Sequence, residues 1–110
     1  GIAQGAGQIL FEQIIHDPDS GQLLTGSFMD YAMPKAQHFC PMEIVNNIVP
    51  TNTNPLGVKG GGEAGTVGSM PCVMNAIVNA LLPLGVTNLD MPATPERIWW
   101  AIKNSKITGG

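Results

Sequence analysis

The chemistry this chain offers first is a single carboxylate set in bare backbone. In the stretch GVKGGGEAG, Gly57 to Gly65, four glycines precede Glu63, and a long apolar segment follows. Three uses of such a Glu are open. It is a helix cap with glycines serving a tight turn, or part of a phosphate-binding loop, or a general base presented to a large cofactor.

Gly60, Gly62 and Gly65 fit the G-x-G-x-x-G dinucleotide fingerprint. A strand should precede that fingerprint, yet Pro55 and Gly57 interrupt the position. A phosphate in the loop would also meet the Glu63 carboxylate. At ~4 Å and an effective dielectric of ~20, two like charges repel by roughly 4 kcal/mol. The Gly-Lys-Ser/Thr ending of a P-loop is missing. Capping explains the position of Glu63, since a helix N-terminus favours a carboxylate. It does not explain glycine at 60, 61 and 62, each of which is entropically costly to order. A carboxylate that must enter a crowded pocket does call for them.

The elements that position this loop are legible in outline. Residues Ile2 to Ile15 read as a helix, with Ile2, Ala6, Ile9, Leu10 and Ile14 at helical spacing. Gly5 and Gly7 in its first turns imply close approach by another backbone or a ligand. HDPDSGQ, from His16 to Gln22, is a turn cluster, and LLTGSFMDYAMP reads as extended chain ended by Pro34. Met42 to Pro50 reads as a short strand, and TNTNPLG as a polar, Pro-broken loop. After Glu63, residues Val67, Met70, Val73, Met74, Ile77, Val78, Leu81 and Leu82 follow i, i+3, i+4, i+7 spacing. Pro83 and Gly85 stop that helix. Gly68, Cys72, Ala76 and Ala80 give it a second, small-residue face suited to close packing. In ATPERIWWAIKN, Thr94 is an N-cap, Pro95 the first helical residue and Glu96 a first-turn acid, and Trp99, Trp100 and Ile102 supply the apolar surface.

With 110 residues the chain suffices for one small domain. Its 12% charged residues are about half the roughly 25% usual for soluble domains. Low charge, 14 Gly and 9 Pro suggest that much of the surface is covered by something else. We therefore expect a piece of a larger protein, in keeping with a start at Gly1 without Met and an end at Gly109-Gly110. Net charge is -3, with five basic residues spread along the chain, which argues against nucleic-acid binding through phosphates. No apolar run is expected to reach the ~20 residues of a membrane span. No signal-peptide pattern is visible. Cys40 and Cys72 form no metal spacing and read as reduced thiols in packed surroundings. His16 and His38 lack ligand partners at useful spacing.

These motifs resemble those of the molybdenum hydroxylases, the xanthine dehydrogenase and aldehyde oxidase group, and within it the aerobic carbon monoxide dehydrogenase-like large subunits most. GVKGGGEAG resembles that family's active-site loop, and GIAQGAGQILFEQ its Q-G-x-G-Q helix. GQLLTGSFMDYAMPKA, NPLGVKGGGEAGTVGSMPCVMNAI and TPERIWWAI are similar to the segments that follow, in the same order. The resemblance implies that residues 1–110 are the C-terminal portion of a molybdopterin-binding domain of α/β (α+β) class, with helices packed on short strands.

It further implies a catalytic subunit that hydroxylates or oxidises a small substrate with water as oxygen source: an aldehyde, an N-heterocycle or carbon monoxide. Glu63 matches the family's catalytic glutamate, expected to take a proton from a molybdenum-bound water or hydroxide. Such a base must reach its proton donor within ~3 Å and be ionised at working pH. Gln4 matches the glutamine that hydrogen-bonds the pterin, and Gln8, one turn later, is a second candidate. An amide offers both donors and acceptors to a pterin edge. Gly60, Gly61 and Gly62 are expected to shape the loop around the cofactor, and Lys59 matches a loop lysine. Gly61 departs from the family pattern, where a larger residue is common, which bears on loop rigidity and substrate fit. The implied cofactor is molybdenum with molybdopterin, in the cytosine dinucleotide form, with FAD and 2Fe-2S clusters on partner subunits or domains. The implied partners are the remainder of the large subunit, the FAD-binding and iron-sulfur subunits and a second copy of the assembly, in the cytoplasm. The isolated piece should be inactive and sticky. The segment that would carry a copper-binding cysteine is absent, and neither Cys40 nor Cys72 fills that role. The alternative is a non-catalytic nucleotide-binding or structural module built around the glycine-rich loop.

Overall fold

The computed structural model describes residues 1–105; Gly109 and Gly110 lie outside the described residues. Three α-helices organise them: α1 (Ile2–Leu10), α2 (Ala64–Leu81) and α3 (Pro95–Asn104). Single 3-10 turns lie at Ala36–His38 and Leu82–Leu84.

α1 and α2 pack on each other through their smallest residues. A Cβ on Gly5 would overlap Ser69 Oγ and stand 2.7 Å from the Thr66 carbonyl oxygen. One on Gly65 would stand 3.0 Å from the Ile2 nitrogen. The close approach expected at Gly5 is therefore made by α2, through the Ser69 hydroxyl and the Thr66 carbonyl. Gly1 lies against Gly65 and Thr66, and Gly5 against Thr66, Ser69 and Met70, so the two helices start at the same end of their contact.

α1 ends at Leu10, short of the Ile15 expected from periodicity. The N–H groups of Phe11 and Glu12 both donate to Gly7 O, at 2.9 and 3.0 Å, and the chain then turns away. Beyond that point the backbone pairs elsewhere. Ile15 N–H donates to Thr25 Oγ1 at 3.0 Å, and Leu24 N–H to Ile15 O at 2.8 Å. The turn cluster between these two stretches forms as expected. Asp17 Oδ1 accepts from Ser20 N–H and Ser20 Oγ–H, at 2.7 and 2.8 Å, which holds its carboxyl below the usual carboxylate value. Gly21 closes the turn at φ 72.

Two segments differ from expectation. Met42–Pro50 forms no strand, because no neighbouring segment among the described residues supplies a ladder partner; all its residues are exposed. The one bridge among the described residues joins His16 to Leu23. LLTGSFMDYAMP is not extended throughout either. It folds into a turn in which Tyr31 N–H donates to Ser27 O at 2.8 Å and Ser27 Oγ–H donates to Asp30 Oδ2 at 2.6 Å.

α2 runs past Pro71, which removes the N–H that would bond the Val67 carbonyl. It stops where expected, with Gly85 in the left-handed region at φ 78. Its burial departs from the expected pattern. Thr66, Ser69 and Leu81 are buried, whereas Val67 is 66% exposed and the small face of Gly68, Cys72, Ala76 and Ala80 is open. Cys40 and Cys72 are free and exposed, not packed. Ala64–Leu84 is also long and apolar enough, by length and composition, to cross a membrane (mean hydropathy 1.5), contrary to expectation. A helix that is apolar on every side passes the same test when it is made for the interior of a large protein.

α3 starts as expected. Thr94 Oγ1 accepts from Arg97 N–H at 3.4 Å, and Arg97 Nη1–H donates to Met91 O at 3.0 Å. Trp99 and Trp100 meet edge to face at 4.7 Å, with Lys103 Nζ over both rings, yet no residue of α3 is buried.

The core is correspondingly slight: Ala6, Ile9, Leu81, Val86 and Ala93 are the buried apolar side chains among the described residues. The accessible surface is 8411 Å², against about 5,800 Å² expected for a compact monomer of this mass. The radius of gyration is 18.4 Å, against about 13 Å. The surplus surface agrees with the low charge content.

Because Gly5 has no room for a side chain, Gly5→Ala in the complete protein is expected to cost about 1–3 kcal/mol by overpacking. Adding Ser69→Gly should recover part of that loss, since the Thr66 carbonyl stays in place. Thermal unfolding of the two variants checks this; a Gly5→Ala protein as stable as the parent would contradict the contact.

Candidate active site at the glycine-rich loop

Two side chains build the loop from Pro50 onward: Thr51 Oγ1 accepts from Thr53 N–H at 3.3 Å, and Asn54 organises the rest. Asn54 Oδ1 accepts from Leu56 N–H and Val58 N–H, at 3.1 and 3.2 Å, and its Nδ2 donates to Val58 O at 2.9 Å. Thr51 N–H donates to Gly57 O at 3.1 Å, closing the turn. Gly57 has φ 65, and a Cβ there would press on Pro50 at 3.1 Å, so this glycine is demanded by the backbone itself.

Gly60, Gly61 and Gly62 are different. None has positive φ, and a Cβ on any of them would meet nothing within 4 Å. Their bareness serves neither a strained turn nor packing among the described residues. It leaves the backbone open on the outward side.

Ala64 N–H donates to Gly61 O at 3.2 Å, and the chain enters α2 at Glu63, the N-cap residue, with φ -108 and ψ 8. The Glu63 main-chain oxygen accepts from Val67 N–H at 3.0 Å. Its side chain makes no capping hydrogen bond and is exposed. Capping therefore accounts for the backbone position and not for the carboxylate.

An open depression of about 370 Å³ lies at this end of the molecule, lined by Gly1, Ile2, Ala3, Met42, Ile44, Gly61, Gly62 and Gly65. It joins the start of α1, the 42–44 segment and the glycine loop. Gln4 and Glu63 each adjoin a lining residue, Ala3 and Gly62. Both Gln4 and Gln8 are exposed, and among the described residues neither amide has a side-chain hydrogen-bond partner. Gln8 lies a turn further along α1, and neither it nor its neighbours line the depression. Lys59 is exposed and outside it. The first turn of α2 lines this depression at Gly65, and the positive end of its dipole favours anionic groups.

Met42 and Ile44 are lining residues that sequence reasoning misses, since their segment reads as a strand. Thr66 and Ser69 are missed too. Their signal is two hydroxyls on an otherwise apolar helix start. A larger depression of about 500 Å³, lined by Phe11, Phe28, Met29, Tyr31, Lys35 and His38 among others, contains none of the candidate catalytic or cofactor residues.

The family described as the molybdopterin cofactor-binding domain matches residues 1–40. The chain is 41% identical over 103 residues to the nicotine 6-hydroxylase large subunit of Paenarthrobacter nicotinovorans, covering 94% of this chain and 12% of that one. It is 35% identical over 107 residues to the carbon monoxide dehydrogenase large chain of Hydrogenophaga pseudoflava, covering 97% and 13%. The structure superposes on quinoline 2-oxidoreductase from Pseudomonas putida 86 with a TM-score of 0.86 at 38% identity, over 94% of this chain and 13% of that one. The chain thus spans about one eighth of the length of the relatives it matches. Motif order, the helix that starts beside the glycine loop and these similarities agree: the chain belongs to the molybdopterin-dependent oxidoreductases of the xanthine dehydrogenase and aldehyde oxidase family, on the side of their molybdenum-binding large subunits.

Proposed function

We propose that the chain is the C-terminal portion of the molybdopterin-binding domain of a catalytic large subunit, with Glu63 as general base. The observation that carries this reading is the Glu63 carboxylate, which stands at a helix N-cap without capping it, beside three glycines whose outward side is open. A base needs a free carboxylate that reaches its proton donor within ~3 Å. Glu63 Oε would take the proton there, and the fixed N-cap backbone would aim it. Gln4, next in sequence to the lining residue Ala3, would present amide donors and acceptors to the cofactor edge. Gly60, Gly61 and Gly62 would let that edge lie on bare backbone. Gln8 would be a more distant contact, reached by a longer part of the cofactor.

The residues present fit a molybdenum–pterin group by their chemistry: an unpartnered amide, a free carboxylate, open glycine backbone and the N-terminus of α2. When bound, that cofactor supplies the two-electron redox centre, and the chain supplies position and a proton acceptor. The cytosine dinucleotide form, FAD and 2Fe-2S partners, a dimeric complete assembly and a cytoplasmic location are part of the same proposal. So is the α/β class, which belongs to the complete domain. The large unburied surface is read as the seat of the remainder of the subunit, since apolar faces of this extent mark interfaces. Substrates are drawn from aldehydes, N-heterocycles and carbon monoxide. The named relatives act, by their names, on nicotine, quinoline or carbon monoxide, and identities of 41%, 38% and 35% select no one of these.

Two substitutions in the complete, cofactor-loaded enzyme test the assignments. Glu63→Gln is expected to lower kcat by about 10²–10⁴-fold, the usual contribution of a general base, with molybdenum content per subunit unchanged. Turnover near the parental rate would remove Glu63 from the role. Gln4→Ala is expected to lower molybdenum content per subunit while leaving turnover per bound molybdenum close to parental. Metal analysis beside steady-state kinetics separates the two effects.

A further inference from the structure

Gln4 and Thr66 sit at matching places on two helices. Gln4 lies three residues after Gly1, and Thr66 lies three residues after Glu63. Thr66 is 5% exposed, and its Oγ1–H donates to the Gly1 carbonyl oxygen at 3.1 Å, across 65 residues of sequence. The same oxygen accepts from Gly5 N–H at 3.0 Å as the first helical acceptor of α1. Gly1 O is thus shared between the first turn of α1 and the first turn of α2. On either side of this bond the helices touch without clearance, at Gly65 against Ile2 and at Gly5 against Thr66 and Ser69. Ser69 Oγ–H donates to Thr66 O at 3.2 Å, filling the space beside Gly5.

We propose that Thr66 is a positioning residue: its hydroxyl ties the start of α1 to the start of α2 and so sets Gln4 and Glu63 at one fixed separation. The proposal rests on the roles assigned to those two residues. Contact between small residues prevents the helices from approaching further, but it does not stop them sliding. A directional bond from Thr66 to a carbonyl does, and it acts within one turn of both functional side chains. Misplacement of a base by about 1 Å is enough to cost about 10²-fold in rate.

The test compares Thr66→Val, which keeps the shape and removes the hydroxyl, with Thr66→Ser, which keeps the hydroxyl, in the complete enzyme. Thr66→Val is expected to lower kcat about tenfold, with KM within about twofold and molybdenum content unchanged, the pattern of a base held out of place. Thr66→Ser should restore kcat. Independently of turnover, amide hydrogen exchange should quicken together in residues 1–7 and 63–69 of Thr66→Val and stay parental in Thr66→Ser. A parental kcat in Thr66→Val, a Thr66→Ser enzyme as slow as Thr66→Val, or a loss traced wholly to missing cofactor or unfolding would each overturn the proposal. If Glu63→Gln is inactive while Thr66→Val is parental, the positioning role alone fails. If Glu63→Gln is active, the general-base reading fails with it.

Discussion

The contact on which the rest depends is the meeting of α1 and α2 at backbone distance. Two helices approach this closely only where side chains are nearly absent, and Gly1, Gly5 and Gly65 supply that absence. The hydroxyls of Thr66 and Ser69 fill what space remains and are themselves satisfied, by Gly1 O and Thr66 O. Buried hydroxyls without partners would cost more than the packing returns. One consequence is geometric: the first turn of α2 lies against Gly1 and Ile2, so whatever lies before α2 is held beside them. The glycine loop, with Glu63 as its last residue, is what lies there.

A second consequence concerns the apolar residues. Since α2 spends its small first turns on α1, its stripe of Val, Met and Ile is covered only in part. The segment from Met42 to Pro50 is exposed throughout, and α3 buries nothing. A chain with so few charges and so slight a core does not close its surface by itself. It has the character of one layer of a larger packed body, which matches relatives about eight times its length. The apolar run Ala64–Leu84, with only 11% of its most apolar window buried, is part of the same uncovered surface.

Within the loop, the glycines divide by physical cause. Gly57 answers to its own backbone, being left-handed and pressed on Pro50. At Gly60, Gly61 and Gly62 a Cβ would meet open space, so no contact in the described chain requires their small size. Glu63 follows the same division. Its main chain serves the helix, and its carboxylate does not.

Local interactions are legible in the residues themselves. The Asp17 turn, the Thr94 cap with Pro95 behind it, the stop of α2 at Gly85 and the tight approach at Gly5 follow from residue types a few positions apart. The energetics of each turn and cap are complete within a short length of chain. The family resemblance is legible for the same reason, as short motifs in order. Early termination of α1 is not, because the bonds that replace its last turn come from Thr25 and Leu24. The strand expected at Met42–Pro50 fails for want of a neighbour to pair with, not through its own residues. Likewise the periodic apolar stripe identifies α2 correctly as a helix but does not say which face α1 takes. Sequence by itself determined that α1, α2 and α3 are helices, the turn at Asp17 and the isolated carboxylate, since those depend on neighbours along the chain. Only tertiary structure decided that Gly1, Gly5, Gly65 and Thr66 meet, because a bond across 65 residues leaves no trace in local spacing.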